Sequence, residues 1–178
     1  ITGDTATFQS ANSTDPLLIV KNTTNDANGA RMRFVKDKGA AGADNDVAGI
    51  IEFVADDDAQ AQTTFAKITA SISDASKGAA GGKLSLGVST HDGEFKNGLI
   101  LTDGNAEDEI DVTIGNGTSS LVTTAGDLTV TGDLIVSGDT TTVNTATMTV
   151  EDHNIVLGSG NSGSEVADAT GLTFEGGT

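Results

Sequence analysis

Histidine is the residue type whose side chain titrates closest to neutral pH, and the chain has two of them. His91 stands in Thr-His-Asp-Gly and His153 in Glu-Asp-His-Asn, so both lie in acidic, turn-forming sequence. A nucleophilic triad also needs a Ser or Cys that meets the histidine and an acid in space, and the chain has no Gly-x-Ser-x-Gly elbow. We therefore expect both histidines to be turn residues and predict no catalytic residue and no enzymatic activity.

Two further kinds of site can be weighed from residue types. The run 158–163, Gly-Ser-Gly-Asn-Ser-Gly, lacks the Gly-Lys-[Ser/Thr] of a phosphate-binding loop, and we expect a flexible loop there. Glycoside hydrolysis needs two carboxylates in a sugar-binding cleft, and many acidic pairs exist by chance among 26 acids. Because the chain has no Trp and no Tyr, a platform on which a sugar could stack is hard to build. We do not expect a hydrolase.

Calcium is the remaining chemical candidate, since Ca²⁺ takes six to eight oxygen ligands, many from acidic loops. Three loops are rich in oxygen ligands, at 44–46, 56–58 and 103–109. Their candidate ligands are Asp44, Asp46, Asp56, Asp58, Asp103 and Asp108. None of the loops fits an EF-hand: counted from Asp103, the sixth position is Asp108 where Gly is required. Solvated turn carboxylates are the preferred interpretation. We predict no resident cofactor and keep calcium as a weak alternative.

Charge and composition limit the partners. The net charge is −17, from 9 Lys and Arg against 26 Asp and Glu, and such a surface repels nucleic acid and anionic lipid. The sequence has no Cys, and it has no run near the roughly 20 apolar residues of a membrane helix. Only six Phe supply aromatic area, while Gly (23) and Thr (26) abound. This composition favours many short strands joined by tight turns.

Alternating apolar residues and short apolar runs between turn residues predict where the strands lie. The predicted strands are 6–10, 17–21, 31–35, 50–54, 64–72, 83–88, 99–101, 110–114, 146–151, 154–157 and 171–175. In the strand 83–88 the alternation places Leu84, Leu86 and Val88 on one face. We predict an all-β fold with a strand region at 1–30 and a β-prism or sandwich-like module at 31–117. A repetitive β shaft at 118–150 and the truncated start of a next β module at 151–178 follow. The chain begins without Met, and we expect an interior piece of a longer protein.

A six-residue repeat from Gly126 is the most informative pattern. The chain runs Gly-Asp-Leu-Thr-Val-Thr, then Gly-Asp-Leu-Ile-Val-Ser, then Gly-Asp-Thr-Thr-Thr-Val. A fixed short period indicates repetitive β architecture, and a narrow apolar ridge must be covered by neighbouring copies or chains. Three repeats make a short solenoid without evident caps, so neighbouring chains are preferred. The predicted trimer core consists of Leu128, Val130, Leu134 and Val136.

The stretch 138–158 resembles a recurrent module of fibre and other structural proteins of marine bacteriophages, including phages of cyanobacteria. The pattern is a Gly-rich strand repeat, a Thr-rich strand and a Val-x-Asp-x-Asn-Ile-x-Leu-Gly element, here 150–158. A polar loop (159–170) and a Gly-Leu-Thr-Phe strand (171–174) follow. His153 stands where Lys is more usual in this module. The region 15–117 is similar to such fibres with less specific motifs. The resemblance implies an elongated virion protein, trimeric, that serves as shaft or connector.

The predicted function is therefore a non-catalytic structural segment of a phage tail fibre, an intertwined homotrimer located in the virion. Its expected partners are its own copies, other tail proteins and, through the larger fibre, a host surface receptor. Nucleic acid and membrane insertion are not expected. Two alternatives stay open: a receptor-binding fibre module, and a bacterial adhesin or surface-layer fragment with loosely bound calcium.

Overall fold

The computed structural model describes residues 5–137, 141–145 and 147–151. Its regular structure is one antiparallel sheet of five strands in the order β1-β2-β3-β4-β5. The strands are β1 (Val47–Asp56), β2 (Gln62–Asp74), β3 (Gly81–Ser89), β4 (Phe95–Thr102) and β5 (Asp111–Ile114). Every strand pairs with its neighbour in sequence, so the sheet is a simple meander. The all-β prediction is confirmed, and the described residues contain no helix.

The chain divides into two compact units. The first, Ile1–Asp127, holds the sheet, and the second is Leu128–Thr178. The predicted strands at 50–54, 64–72, 83–88 and 99–101 lie inside β1 to β4, and 110–114 overlaps β5. The segments 64–72 and 83–88 were located by alternating apolar residues, the period of a pleated strand, whereas 99–101 is a continuous apolar run.

Acidic residues shape the turns between the strands. The Asp57 carboxylate accepts hydrogen bonds from the backbone N–H groups of Ala59 and Ala61, both at 2.9 Å, and so closes the β1–β2 turn. In the β3–β4 turn, Thr90 donates to the Asp92 carboxylate at 2.6 Å. Asp residues favour turns because their short side chains bond to nearby backbone N–H groups. These bonds give Asp57 and Asp92 a structural role in their turns.

The predicted strands at 6–10, 17–21 and 31–35 are not strands in the structure, and the predicted prism or sandwich-like module begins its sheet only at Val47. The described residues between 118 and 151 also form no strand, so the predicted shaft is not formed within one chain. A strand needs hydrogen bonds to a neighbouring strand, and in the structure these segments pair with neither edge strand of the sheet, β1 or β5. The strands predicted at 154–157 and 171–175, together with His153, lie outside the described residues.

Candidate assembly surface

The register of the five strands aligns apolar residues into rows that cross the whole sheet. One row runs from Ile51 through Ile68, Leu86 and Leu99 to Ile114. The next row on the same side runs from Gly49 through Ala70, Leu84 and Leu101 to Val112. Directly opposed residues of an antiparallel pair share a face, and so do residues two apart on one strand. Both rows therefore lie on one face, and neither contains a polar side chain.

A third, shorter row extends this face. Phe53 opposes Ala66, which opposes Val88. The row ends at β4 with Lys96, the one charged residue that the register places in these three rows. We call the thirteen apolar and glycine residues of the three rows the apolar face. They are Gly49, Ile51, Phe53, Ala66, Ile68, Ala70, Leu84, Leu86, Val88, Leu99, Leu101, Val112 and Ile114.

The other side of the sheet has a mixed character. The row between the two apolar rows is Ile50, Thr69, Ser85, Ile100 and Thr113. Beside it, Glu52 opposes Lys67, Lys67 opposes Gly87, and Gly87 opposes Asn97. This opposite face combines charged, hydroxyl and apolar side chains, as a sheet surface in contact with water does.

Burial along the central strand β3 is inverted relative to a sheet that faces water. Ser85, on the opposite face, is 6% exposed, and it is the buried polar residue of the described chain. Its neighbours Leu84 and Leu86, on the apolar face, are 39% and 36% exposed. No hydrophobic side chain of the described residues is buried. The single chain therefore leaves its most apolar surface in contact with solvent.

The opposite face is covered from within the chain at Gly87. A β-carbon at Gly87 would come within 2.5 Å of the Phe95 ring, so the ring packs directly on this glycine. The Lys67 ammonium lies 4.6 Å from the centre of the same ring, a cation–π contact. Since Gly87 is buried and has no side chain, this packing needs the glycine. Val88, the next residue, points to the apolar face and lacks such a cover.

One end of the apolar face receives a partial cover from the segment that precedes the sheet. A β-carbon at Gly49 would lie 2.9 Å from the Phe34 β-carbon, so Phe34 packs over this glycine. Met32, Phe34, Ile51 and Ile68 line a cavity there. Phe34 nevertheless remains more than half exposed. The segment at 32–34 shields the β1–β2 corner and leaves the centre of the face open.

A second cavity marks the open centre. It is lined by side chains from β1 to β4 that include Phe53, Ile68, Leu86, Val88 and Leu99. All five belong to the apolar face, and the cavity runs across the strands and not between separate layers. It is a shallow hydrophobic surface whose chemistry suits another apolar surface better than a polar ligand.

The predicted trimer core residues belong to the second unit. Leu128, Val130, Leu134 and Val136 are all exposed, Leu134 by 70%, and none lies in a strand of the single chain. The sequence pattern predicted an interchain seam at these residues, and that stays a prediction. The apolar face was missed as a whole, although the alternation placed Leu84, Leu86 and Val88 together. Aligning the alternation of successive strands across their short turns would have revealed the rows.

The acidic loops do not gather their predicted calcium ligands into one place. The Asp44 carboxylate accepts a hydrogen bond from the Ala75 N–H at 2.8 Å. Asp46 forms an ion pair with Lys38 and accepts from the Ala43 N–H at 2.8 Å. Hydrogen bonding to Lys38 holds the pKa of Asp46 below its ordinary value. These contacts fix the loop before β1 against the end of β2.

The remaining calcium candidates are also dispersed. Asp103 accepts a hydrogen bond from the Ser73 hydroxyl at 2.6 Å, and Asp56 ends β1. Asp58 lies in the β1–β2 turn, and Asp108 has a left-handed backbone with φ of 61°. Within the part of the chain that the structure describes, no three acids or histidines meet in a group that could hold a metal ion. Calcium binding therefore stays an alternative, as in the sequence analysis.

His91 lies in the turn between β3 and β4, as expected. That turn is closed by the backbone hydrogen bonds from the Thr90 N–H to the Glu94 carbonyl at 2.7 Å and from the Gly93 N–H to the Thr90 carbonyl at 2.9 Å.

In the described ranges no helix is long and apolar enough to cross a membrane. Comparisons of the chain with protein families, with curated proteins and with solved structures found no match.

Proposed function

We propose that the chain is a structural segment of a bacteriophage tail fibre, a shaft or connector that is stable as a homotrimer and has no catalytic role. The observation that carries the proposal is the absence of any buried hydrophobic side chain in the described chain, beside an apolar face that crosses five strands. A sheet must bury one face against another layer to be stable. Assembly with other chains supplies that layer.

The distribution of charge supports assembly over solubility as a monomer. The chain carries a net charge of −17, so two copies repel each other wherever acidic loops meet. Its rows of apolar residues are free of acids. Copies can therefore associate through apolar surface and keep their acidic loops in water. This arrangement suits a particle that is exposed to solvent along its whole length.

The Gly-Asp-Leu repeat supports an elongated arrangement. Leu128, Val130, Leu134 and Val136 are exposed apolar residues at a regular spacing, and no strand pairs with them in the single chain. A ridge of this kind is stabilised only when equivalent ridges meet. The resemblance of 138–174 to modules of marine phage fibres supports the choice of a virion appendage. The proposed location is the tail fibre, with other tail proteins as partners and the host receptor contacted by the larger fibre.

Sedimentation equilibrium of the purified chain tests the proposal. A homotrimer at micromolar concentration, together with thin particles in negative-stain electron micrographs, is the expected result. A folded monomer at that concentration would overturn the trimer and, with it, the proposed role as a fibre segment. Circular dichroism in the same buffer establishes whether any monomer is folded.

A further inference from the structure

We infer that the apolar face of β1–β5 is the interior of the assembly, where the same face of other copies of this chain covers it. The inference rests on the proposed fibre function and adds the surface through which the copies meet. It places a second core in the first unit, apart from the predicted seam at Leu128–Val136. The occupant is a second and a third copy of this chain.

The size of the face sets how much surface the copies can bury through it. Five strands at about 4.8 Å spacing span about 19 Å, and three rows at two-residue spacing occupy about 20 Å along the strands. The footprint is therefore roughly 400 Å² per copy. A face-to-face pair would bury about 800 Å² in total, and three copies about 1,200 Å² divided among three contacts of about 400 Å² each. Each contact is small for a specific interface, so the area alone does not set the number of copies, which follows the proposed trimer.

The width of the sheet fits a three-sided arrangement. With the strands along the axis and one strand spacing left at each corner, an equilateral triangle has sides of about 24 Å and places each sheet about 7 Å from the axis. Sheets that pack face to face lie about 10 Å apart, so each contributes about 5 Å of side chain. The central strand β3 carries Leu84, Leu86 and Val88 on the face turned to that axis. Three such sheets therefore bring the β3 side chains towards the centre of the assembly.

Charge favours a copy of this chain over an unrelated partner. Of the residues in the three rows, only Lys96 is charged, and it lies at the margin on β4. The face therefore offers no ionic group by which a partner of different sequence would be selected. Its own copies present the same flat apolar surface, and a closed symmetric assembly uses that surface on every copy.

Thiol labelling tests which face is covered. The chain has no Cys of its own, so only the introduced thiol reacts with the label. Val88 on the apolar face and Val54 on the opposite face are 55% and 48% exposed in the single chain. The variants Val88→Cys and Val54→Cys change the same residue type on two different faces. Each is made in the full chain, checked by circular dichroism and sedimentation, and reacted with a maleimide under native and denaturing conditions.

The expected result is a trimer in which the Val88→Cys thiol reacts at least about tenfold more slowly than the Val54→Cys thiol. The reason is that a buried site reacts only when the structure opens locally. In denaturant the two thiols should react at equal rates. A trimer in which both thiols react at the same rate overturns the inference and leaves the fibre proposal standing. A dimer with Val88→Cys protected supports the covered face and overturns the trimer. A folded monomer overturns both. If Val88→Cys fails to fold, Val112→Cys on the same face replaces it.

Discussion

The replacement of Val88 by Asp distinguishes an assembly that buries the apolar face from an assembly that forms through another surface. Val88 lies in the central strand and is 55% exposed in the single chain. In the assembly the introduced carboxylate would be removed from water. The side chain could be buried without its charge only by taking up a proton. At pH 7 this protonation costs about 4 kcal/mol for a group with a pKa near 3.9.

Loss of the remaining Val88 burial adds about 1 kcal/mol, a share of the roughly 1.5–3 kcal/mol for a fully buried side chain. The total is about 5 kcal/mol per copy and about 15 kcal/mol per trimer. Since 1.4 kcal/mol is a factor of ten, the association constant falls by about ten orders of magnitude. The midpoint concentration varies with the square root of that constant and rises about 10⁵-fold. A trimer with a nanomolar midpoint would then be largely monomeric at micromolar concentration.

Sedimentation equilibrium measures this effect, and Val54→Asp is the matched control. Val54 is the same residue type with similar exposure, but it follows Phe53 in β1 and so points to the opposite face. An exposed substitution of this kind changes the free energy of unfolding by about 0.5 kcal/mol or less. We expect Val54→Asp to remain trimeric at the concentration at which Val88→Asp is monomeric.

The pH dependence adds a second discriminating measurement. Near pH 4 about half of the carboxyl groups introduced by Val88→Asp are protonated in water, and the cost of burial falls below about 1 kcal/mol per copy. The Val88→Asp trimer should therefore return as the pH is lowered, relative to the Val54→Asp trimer with its equal charge. Equal assembly of the two variants at pH 7 would refute the placement of the apolar face in the interior.

Three further predictions concern other parts of the chain. If the repeat forms an interchain seam, Leu134→Asp should prevent assembly, and sedimentation equilibrium measures the loss of the trimer. A trimer unchanged by Leu134→Asp would show that Leu134 is not part of the core. Gly87→Ala should lower the melting temperature by the equivalent of about 1–3 kcal/mol, because its methyl group meets the Phe95 ring and the Lys96 carbonyl. Gly82→Ala, with open space in the same strand, is its control. Asp46→Asn should lower the melting temperature at pH 7, because Lys38 stabilises the charged Asp46. The pKa of Asp46 is lowered on folding, so that stabilisation is present above its ordinary value of 3.8 and is lost as the pH falls through the folded pKa. A difference between Asp46→Asn and the wild type that stays constant from pH 7 to pH 2 would contradict this assignment.

Alternation and short apolar runs along the chain were enough to find the strands of the sheet, but they could not supply the register of these strands. Leu84, Leu86 and Val88 were placed on one face from their spacing alone. Their alignment with Ile68 and Leu99 depends on turn lengths and on bulges such as the shift between Phe53 and Val54. A shift of one residue would move a whole strand's apolar set to the other face. The apolar face is therefore a property of register, which alternation in a single strand does not contain.

The strand predictions for the segments before Val47 were wrong for a different reason. Leu17, Leu18, Ile19 and Val20 form a continuous apolar run of high strand propensity, yet all four are exposed and belong to no strand. Side-chain propensity describes a preference for extended backbone, whereas a strand also requires an edge to bond to. In the structure these residues pair with neither edge strand of the sheet, β1 or β5. The strand predictions at these segments were wrong because propensity does not tell whether an extended segment finds a partner.

The meander order of the strands has a consequence for the way the protein folds. Each strand pairs only with the next one along the chain, so closing a hairpin requires a short loop and no distant contact. Proteins with such local pairing fold fast, and single hairpins form in about 1–10 μs. Because the described residues bury no hydrophobic side chain in the single chain, the sheet should form and dissolve repeatedly until copies meet. Refolding after rapid dilution from denaturant should then show a slow phase whose rate rises with protein concentration.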